Sequence, residues 1–295
     1  MAGPASSSPR AADPKSRNVL KTRILTAVAL IAVTLAALFW LPPRGWGAVT
    51  LVVVALAAHE WANLCGYATL NRVAFVAVAV AIGADLLFEF APGAGWPAGL
   101  TLAACGLATV FWLAVAPPWL AAAWRVRSKA LLALTGWLVL LAWWIALVQL
   151  QARSPALLLA VMAIVWIADT AAYFSGRTFG KRKLAPTVSP GKTWEGVYGA
   201  LVATATYALA MLWLAPELLH AGSRSPRAIA AWIAVVLALT GLSIVGDLFK
   251  SLLKRQRGVK DSGRILPGHG GVIDRIDALL AVMPPAALLV NYALR

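Results

Sequence analysis

The sequence predicts an all-α, polytopic integral membrane protein with about nine transmembrane helices. Three observations carry this. Of 295 residues, 61% are hydrophobic and only 13% charged, whereas soluble domains run at roughly 45–50% apolar and about 25% charged. Apolar windows of about 20 residues, the length of a helix across the hydrocarbon core, recur along the whole chain. Finally, with the N-terminus inside, 21 of the 26 Lys and Arg fall on inner segments and 5 on outer ones, as the positive-inside rule requires. This composition excludes soluble, disordered and disulfide-rich secreted classes. The formal charge of +15 is then topological first, which argues against nucleic acid as a partner.

The windows run 22–41, 47–63, 73–90, 97–116, 130–150, 156–174, 197–216, 228–249 and 278–294. Breakers separate them: Pro42-Pro43, the Pro92-Gly93 region, Pro117-Pro118, Ser154-Pro155 and Pro216. Pro284-Pro285 should kink the last helix. Residues 1–18, rich in Ala, Ser and Pro, form a mobile basic tail, with an organellar transit peptide as the alternative. The rest divides into an N-terminal transmembrane region, 19–155, and a catalytic one, 156–295, with functional loops at 175–196 and 250–277. Cys65 and Cys105 have neither metal nor CxxC spacing, so no disulfide or zinc site is expected. The Trp residues read as interfacial belt and helix packing.

Acids are scarce, and seven of the eleven lie between 169 and 277. Asp169 and Asp247 sit at the inner ends of the sixth and eighth windows, where a carboxylate is costly and marks a polar cavity or an ion pair. Glu60 is a similar intramembrane acid, which a neighbouring His or Trp could satisfy. Asp85, Glu89, Glu217 and His220 read as interfacial or loop decoration.

The first inner loop combines Gly, hydroxyls and cations in Ser175–Lys183 and Ser189–Gly196. Backbone N–H groups and Lys in this mixture can wrap phosphate oxygens, although the same residues also serve as positive-inside sequence. Gly191-Lys192-Thr193 resembles the end of a P-loop, but Pro186 stands where the upstream Gly would be. The second loop is more specific. Lys254-Arg255, Lys260-Asp261 and the turn Gly268-His269-Gly270-Gly271 lead into a helix carrying Asp274, Arg275 and Asp277. A glycine turn before a helix offers N–H groups to an anion, and acids three apart share one helical face. Asp274 and Asp277 could stabilise the helix start or, with Asp247, bind a divalent metal through oxygen. The inventory is that of phosphoryl or nucleotidyl transfer onto a lipid at the cytosolic membrane boundary.

These residues resemble the phosphatidate cytidylyltransferase (CDP-diacylglycerol synthase) family. The run Ser251–Asp277 has its pattern S-x-x-K-R-x₄-K-D followed by L-P-G-H-G-G-x-x-D-R-x-D, and the segments from Asp169 to Lys181 and Ser189 to Gly196 are similar to it. Strong resemblance covers 166–277. It implies the CTP-dependent nucleotidyl transfer CTP + phosphatidate → CDP-diacylglycerol + pyrophosphate, with Mg²⁺ required. It makes Asp247 and Asp274 metal ligands. On chemical grounds Asp261 and Asp277 are expected as supporting ligands. Lys181, Lys192, Lys254, Arg255, Lys260 and Arg275 are expected on CTP phosphates or the phosphatidate head group. His269, with Gly270 and Gly271, would contact a phosphate, and Asp169 would line the cavity that takes the lipid phosphate. The expected setting is a bacterial plasma (inner) membrane, with N-terminus and active site cytoplasmic and a homodimer left open. A CTP-dependent polyprenol kinase and an anion-binding transporter or scaffold are the competing readings.

Overall fold

The computed structural model describes residues 28, 29, 31–90, 96–215, 225–263, 265 and 270–293. The expected tail 1–18, Glu217, His220 and His269 lie outside them. Among the described residues, seven helices are long and apolar enough to cross a membrane. They are α2 (Pro43–Cys65), α3 (Thr69–Glu89), the run Ala98–Ala121, α6 (Lys129–Arg153), α7 (Pro155–Phe179), α8 (Trp194–Leu214) and α9 (Pro226–Gln256). The run Ala98–Ala121 comprises α4 (Ala98–Val110), a π turn (Phe111–Val115) and α5 (Ala116–Ala121). A shorter apolar helix, α1 (Ile31–Trp40), precedes them. The 16-residue α10 (Ile273–Leu288) follows and continues into a π turn, Leu289–Ala293. Each expected window from the second to the eighth thus coincides with a helix of spanning length. The first is described only from Val28, and the last begins at Ile273 rather than 278.

Local chemistry sets the boundaries. Ser128, Ser154, Thr193 and Ser225 cap α6, α7, α8 and α9, each hydroxyl accepting the N–H three residues on. Such a cap contributes about 1 kcal/mol. Pro43 and Pro155 sit at first-turn positions, where no N–H is needed. Gly66 ends α2 with φ +75°, a left-handed closure that favours glycine.

Three expectations need correction. Pro117-Pro118 does not break the fourth helix. The π turn just before it rewinds the chain, Ala116 N–H reaching back to Phe111 O, and the prolines occupy the first turn of α5. Residues 250–277 are not one loop. Helix α9 runs on to Gln256, because Phe249, Leu252 and Leu253 continue its buried face beyond the hydropathy window. Residues 175–196 are likewise mostly ordered: α7 extends to Phe179, and a two-stranded antiparallel hairpin follows, β1 (Lys183–Ala185) and β2 (Ser189–Thr193). Helix α10 passes through Pro284 and Pro285 before widening into its π turn.

Helix α10 is buried along nearly its whole length and packs on α9, α6, α4 and α7. Around it, α2 pairs with α3 and α6, while α7 pairs closely with α8. Apolar contact alone drives little association between helices in lipid, so close packing and interhelical hydrogen bonds carry it. Trp61 is fully buried and donates its indole N–H to Leu132 O of α6 at 2.8 Å. Trp144 donates to Gly47 O of α2 at 3.0 Å, and Trp232 to Ala208 O of α8 at 2.9 Å. For these three, packing is the structural role.

Candidate active site

The site forms where the C-terminal turns of α2, α7 and α9 meet the first turns of α8 and α10. On α9, Asp247, Lys250, Ser251 and Lys254 recur at helical spacing along one face. Asp274 and Asp277 face them from α10. Gly246 makes this approach feasible, since a Cβ there would lie 2.6 Å from the Asp277 carbonyl.

Lys250, 7% exposed, bridges all three aspartates. Its Nζ contacts Asp277 Oδ2, lies 3.1 Å from Asp274 Oδ1 and 3.8 Å from Asp247 Oδ1. Lys254 Nζ donates to Asp274 Oδ1 at 2.7 Å. From the hairpin, Lys192 Nζ reaches Asp247 Oδ2 at 2.6 Å. Three carboxylates and three ammonium groups thus offset one another, which is what makes their burial tolerable. Asp274 Oδ2 also accepts from Ser262 N–H (3.1 Å), Ser262 Oγ (3.1 Å) and Gly271 N–H (3.2 Å). Burial alone would raise the Asp274 carboxyl, but the Lys254 hydrogen bond, the Lys250 charge and the Ser262 N–H hold it well below the usual carboxylate range.

A cavity of about 450 Å³ opens beside this cluster between α7, α8 and the hairpin. Asp169, Arg177, Ser189, Lys192, Thr193 and Asp247 are among its lining residues. Helices α7 and α8 approach closely here: a Cβ on Gly196 would lie 2.8 Å from Ala172 O, and one on Gly176 3.0 Å from Thr193 Oγ1. The hairpin is tied down at two points, by Lys192 on Asp247 and by Arg255 Nε donating to Val188 O at 3.3 Å. Its other end is held by Glu195, whose carboxylate accepts the N–H groups of Lys181 (3.1 Å) and Arg182 (3.2 Å).

The structure therefore brings together Asp169, Lys192, Asp247, Lys254, Asp274 and Asp277. Arg255 is directed to the hairpin rather than into the acid cluster. Lys181, Lys260, Asp261 and Arg275 are exposed at the rim. Asp261 Oδ1 stands 3.9 Å from where a Gly270 Cβ would be. Gly270 takes φ +84°, a conformation that favours glycine. Sequence reasoning undervalued three residues. Lys250 lies in a basic inner segment where one Lys looks like any other, although its i+3 spacing from Asp247 puts it on the acid face. Ser262 carried no signal. Glu60 was singled out but given the wrong partners: it accepts from Ser262 Oγ and from Val272 and Ile273 N–H.

Among the described residues, no group of three or more His, Cys, Asp or Glu is arranged to hold a metal ion, and the Lys250 ammonium stands between the carboxylates. The donor chemistry nevertheless suits Mg²⁺, which binds through one or two carboxylates completed by substrate phosphates. Asp247 and Asp169 are the carboxylates on the cavity wall.

Fold and site together define a polytopic α-helical protein with a cation-lined, carboxylate-bearing cavity at one end of its bundle, suited to phosphate esters. The chain belongs to the cytidylyltransferase family, whose model matches residues 21–293. It is 43% identical over 280 residues to the phosphatidate cytidylyltransferase of Pseudomonas aeruginosa, covering 92% of this chain and 97% of that one. It is 36% identical over 281 residues to the enzyme of the same name from Brucella melitensis, covering 92% of each. A third, from Haemophilus influenzae, is 51% identical over 128 residues, 43% of each chain.

Proposed function

We propose that this chain transfers CMP from CTP to phosphatidate, giving CDP-diacylglycerol and pyrophosphate, at the cytoplasmic boundary of a bacterial plasma membrane. The observation that carries the reading is the Lys192–Asp247 pair, at once the wall of the cavity and the edge of the aspartate–lysine cluster. A phosphate-monoester oxygen of phosphatidate attacks the α-phosphorus of CTP. The bond from that phosphorus to the bridging oxygen breaks, and pyrophosphate leaves with the electron pair. Lys192 and Lys254 offset the charge that builds on the phosphates, with Lys181, Lys260 and Arg275 around the rim. Electrostatic positioning of this kind supplies most of the catalysis in phosphoryl transfer. Mg²⁺, held by Asp247 and Asp274 with Asp261 in support, would neutralise the triphosphate and polarise the reacting phosphoryl group. Asp169 faces the same cavity and keeps a polar path for the lipid phosphate. The distribution of Lys and Arg supports an N-terminus inside.

Radiolabelled CTP tests the reading. Purified protein with phosphatidate and Mg²⁺ should place α-phosphate label in lipid and release pyrophosphate. Transfer of the γ label alone would make the chain a CTP-dependent lipid kinase, and no pyrophosphate release would leave a transporter or scaffold.

A further inference from the structure

Among the described residues, the most deeply buried carboxylate is that of Glu60 of α2, with 0% exposure. A carboxylate in such a place is costly unless its oxygens are satisfied. Here both are, and among the described residues the donors come from residues 262–273. Oε1 accepts Val272 N–H at 2.9 Å; Oε2 accepts Ile273 N–H at 3.0 Å and Ser262 Oγ at 2.8 Å. Val272 and Ile273 begin α10, whose start has no side-chain cap of its own. Glu60 is therefore a cap supplied from another helix, its charge set against the positive end of the α10 dipole. The surrounding sequence is cleared for it: a Cβ on Gly263 or on Gly271 would collide with the Glu60 carboxylate. Ser262 links it onward, because the same hydroxyl lies 3.1 Å from Asp274 Oδ2 and the Ser262 N–H donates to that oxygen.

We propose that Glu60 is a positioning residue for the site. By holding Ser262 and the first turn of α10 it sets where Asp274 and the Gly270-Gly271 turn stand, without itself touching substrate. The proposal rests on the cytidylyl-transfer reading for its kinetic readout but not for its structural one. Groups that orient site carboxylates typically cost about 10–100-fold in activity when altered. In Glu60→Gln the amide offers one acceptor oxygen and turns an NH₂ donor toward groups that are themselves donors.

The test compares Glu60→Gln, Ser262→Ala and the double variant in detergent-purified full-length protein. Pyrophosphate release is measured well below each protein's melting temperature, with hydrogen exchange of the 262–273 amides alongside. Glu60→Gln should lose about 10–100-fold in kcat with the KM for phosphatidate unchanged, and the two substitutions should be non-additive. Exchange at Val272 and Ile273 should accelerate while α6 stays protected. A folded Glu60→Gln with wild-type kcat would overturn the proposal, as would additive effects or unchanged exchange. If Glu60→Gln does not fold, Ser262→Ala decides: a lowered kcat with wild-type melting supports the relay, and wild-type kcat refutes it. An inactive wild-type protein whose variants still show the exchange difference would sink the activity reading and leave the positioning role standing.

Discussion

Replacing Lys250 with Met removes the one ammonium shared by three aspartates while keeping the length and apolar stem of the side chain. Two of the three partners are as buried as the lysine, with Asp274 and Asp277 side chains 8% and 11% exposed, so solvent screens those contacts little. Asp247 is 28% exposed and keeps Lys192, so its share is smaller. Asp274 keeps Lys254, whereas Asp277 loses its ammonium and retains the Ala278 N–H. Stranding one buried carboxylate in this way costs about 3–5 kcal/mol. At about 2–4 °C per kcal/mol for a large chain, Lys250→Met should melt about 6–20 °C below wild type. Lys250→Arg should lose much less. Adding Asp277→Leu to Lys250→Met should recover most of the melting temperature, since removing both partners of a buried pair is often neutral. The assay is thermal unfolding in a fixed detergent, read alongside pyrophosphate release. A Lys250→Met protein melting with wild type would refute the bridging role, and failure of the double variant to recover would refute the electrostatic cause.

Asp247→Asn and Asp274→Asn should both abolish pyrophosphate release while the protein still inserts and purifies normally; near-normal activity in either removes that residue from the site. The low pKa of the Asp274 carboxyl has a pH consequence. A depressed carboxylate stabilises fully above its unfolded value, about 3.9, and that contribution is lost only as pH falls through the lower folded value. The melting difference between wild type and Asp274→Asn should therefore stay flat from about pH 6 to 8, checked by unfolding across buffers. Gly246→Ala forces a methyl against the Asp277 carbonyl and Ala281, and overpacking of this kind costs about 1–3 kcal/mol. It should lower activity and melting temperature together, whereas Gly191→Ala, with open space around it, should leave melting unchanged.

The helices of the bundle were legible because a membrane helix must be apolar for its full length, a signal that survives without any partner. Their ends were less so. Helix α9 passes 249 because its last two turns pack on α10, a tertiary fact, and the π turn at Phe111–Val115 turns an apparent break into a continuation. The hairpin was invisible: strands of 3 and 5 residues rich in Lys, Pro and Gly show no alternation, and Asp247 and Arg255 pin them from outside. In the site, Asp247, Asp274 and Lys192 stood out because charge is scarce in such a chain. Lys250 did not, because one Lys among many in a basic inner segment looks topological until its three partners are seen.

The contacts of Glu60 also bear on how the protein is made. They span 202, 212 and 213 residues of sequence. At ordinary rates of synthesis, helix α2 leaves the ribosome about 10–40 s before the segment that will satisfy its carboxylate exists. During that interval an acid within an apolar helix has to be sheltered by water, by protonation or by the insertion machinery. Residues 262–273 are translated that much later, so the first turn of α10 closes a contact that α2 leaves open.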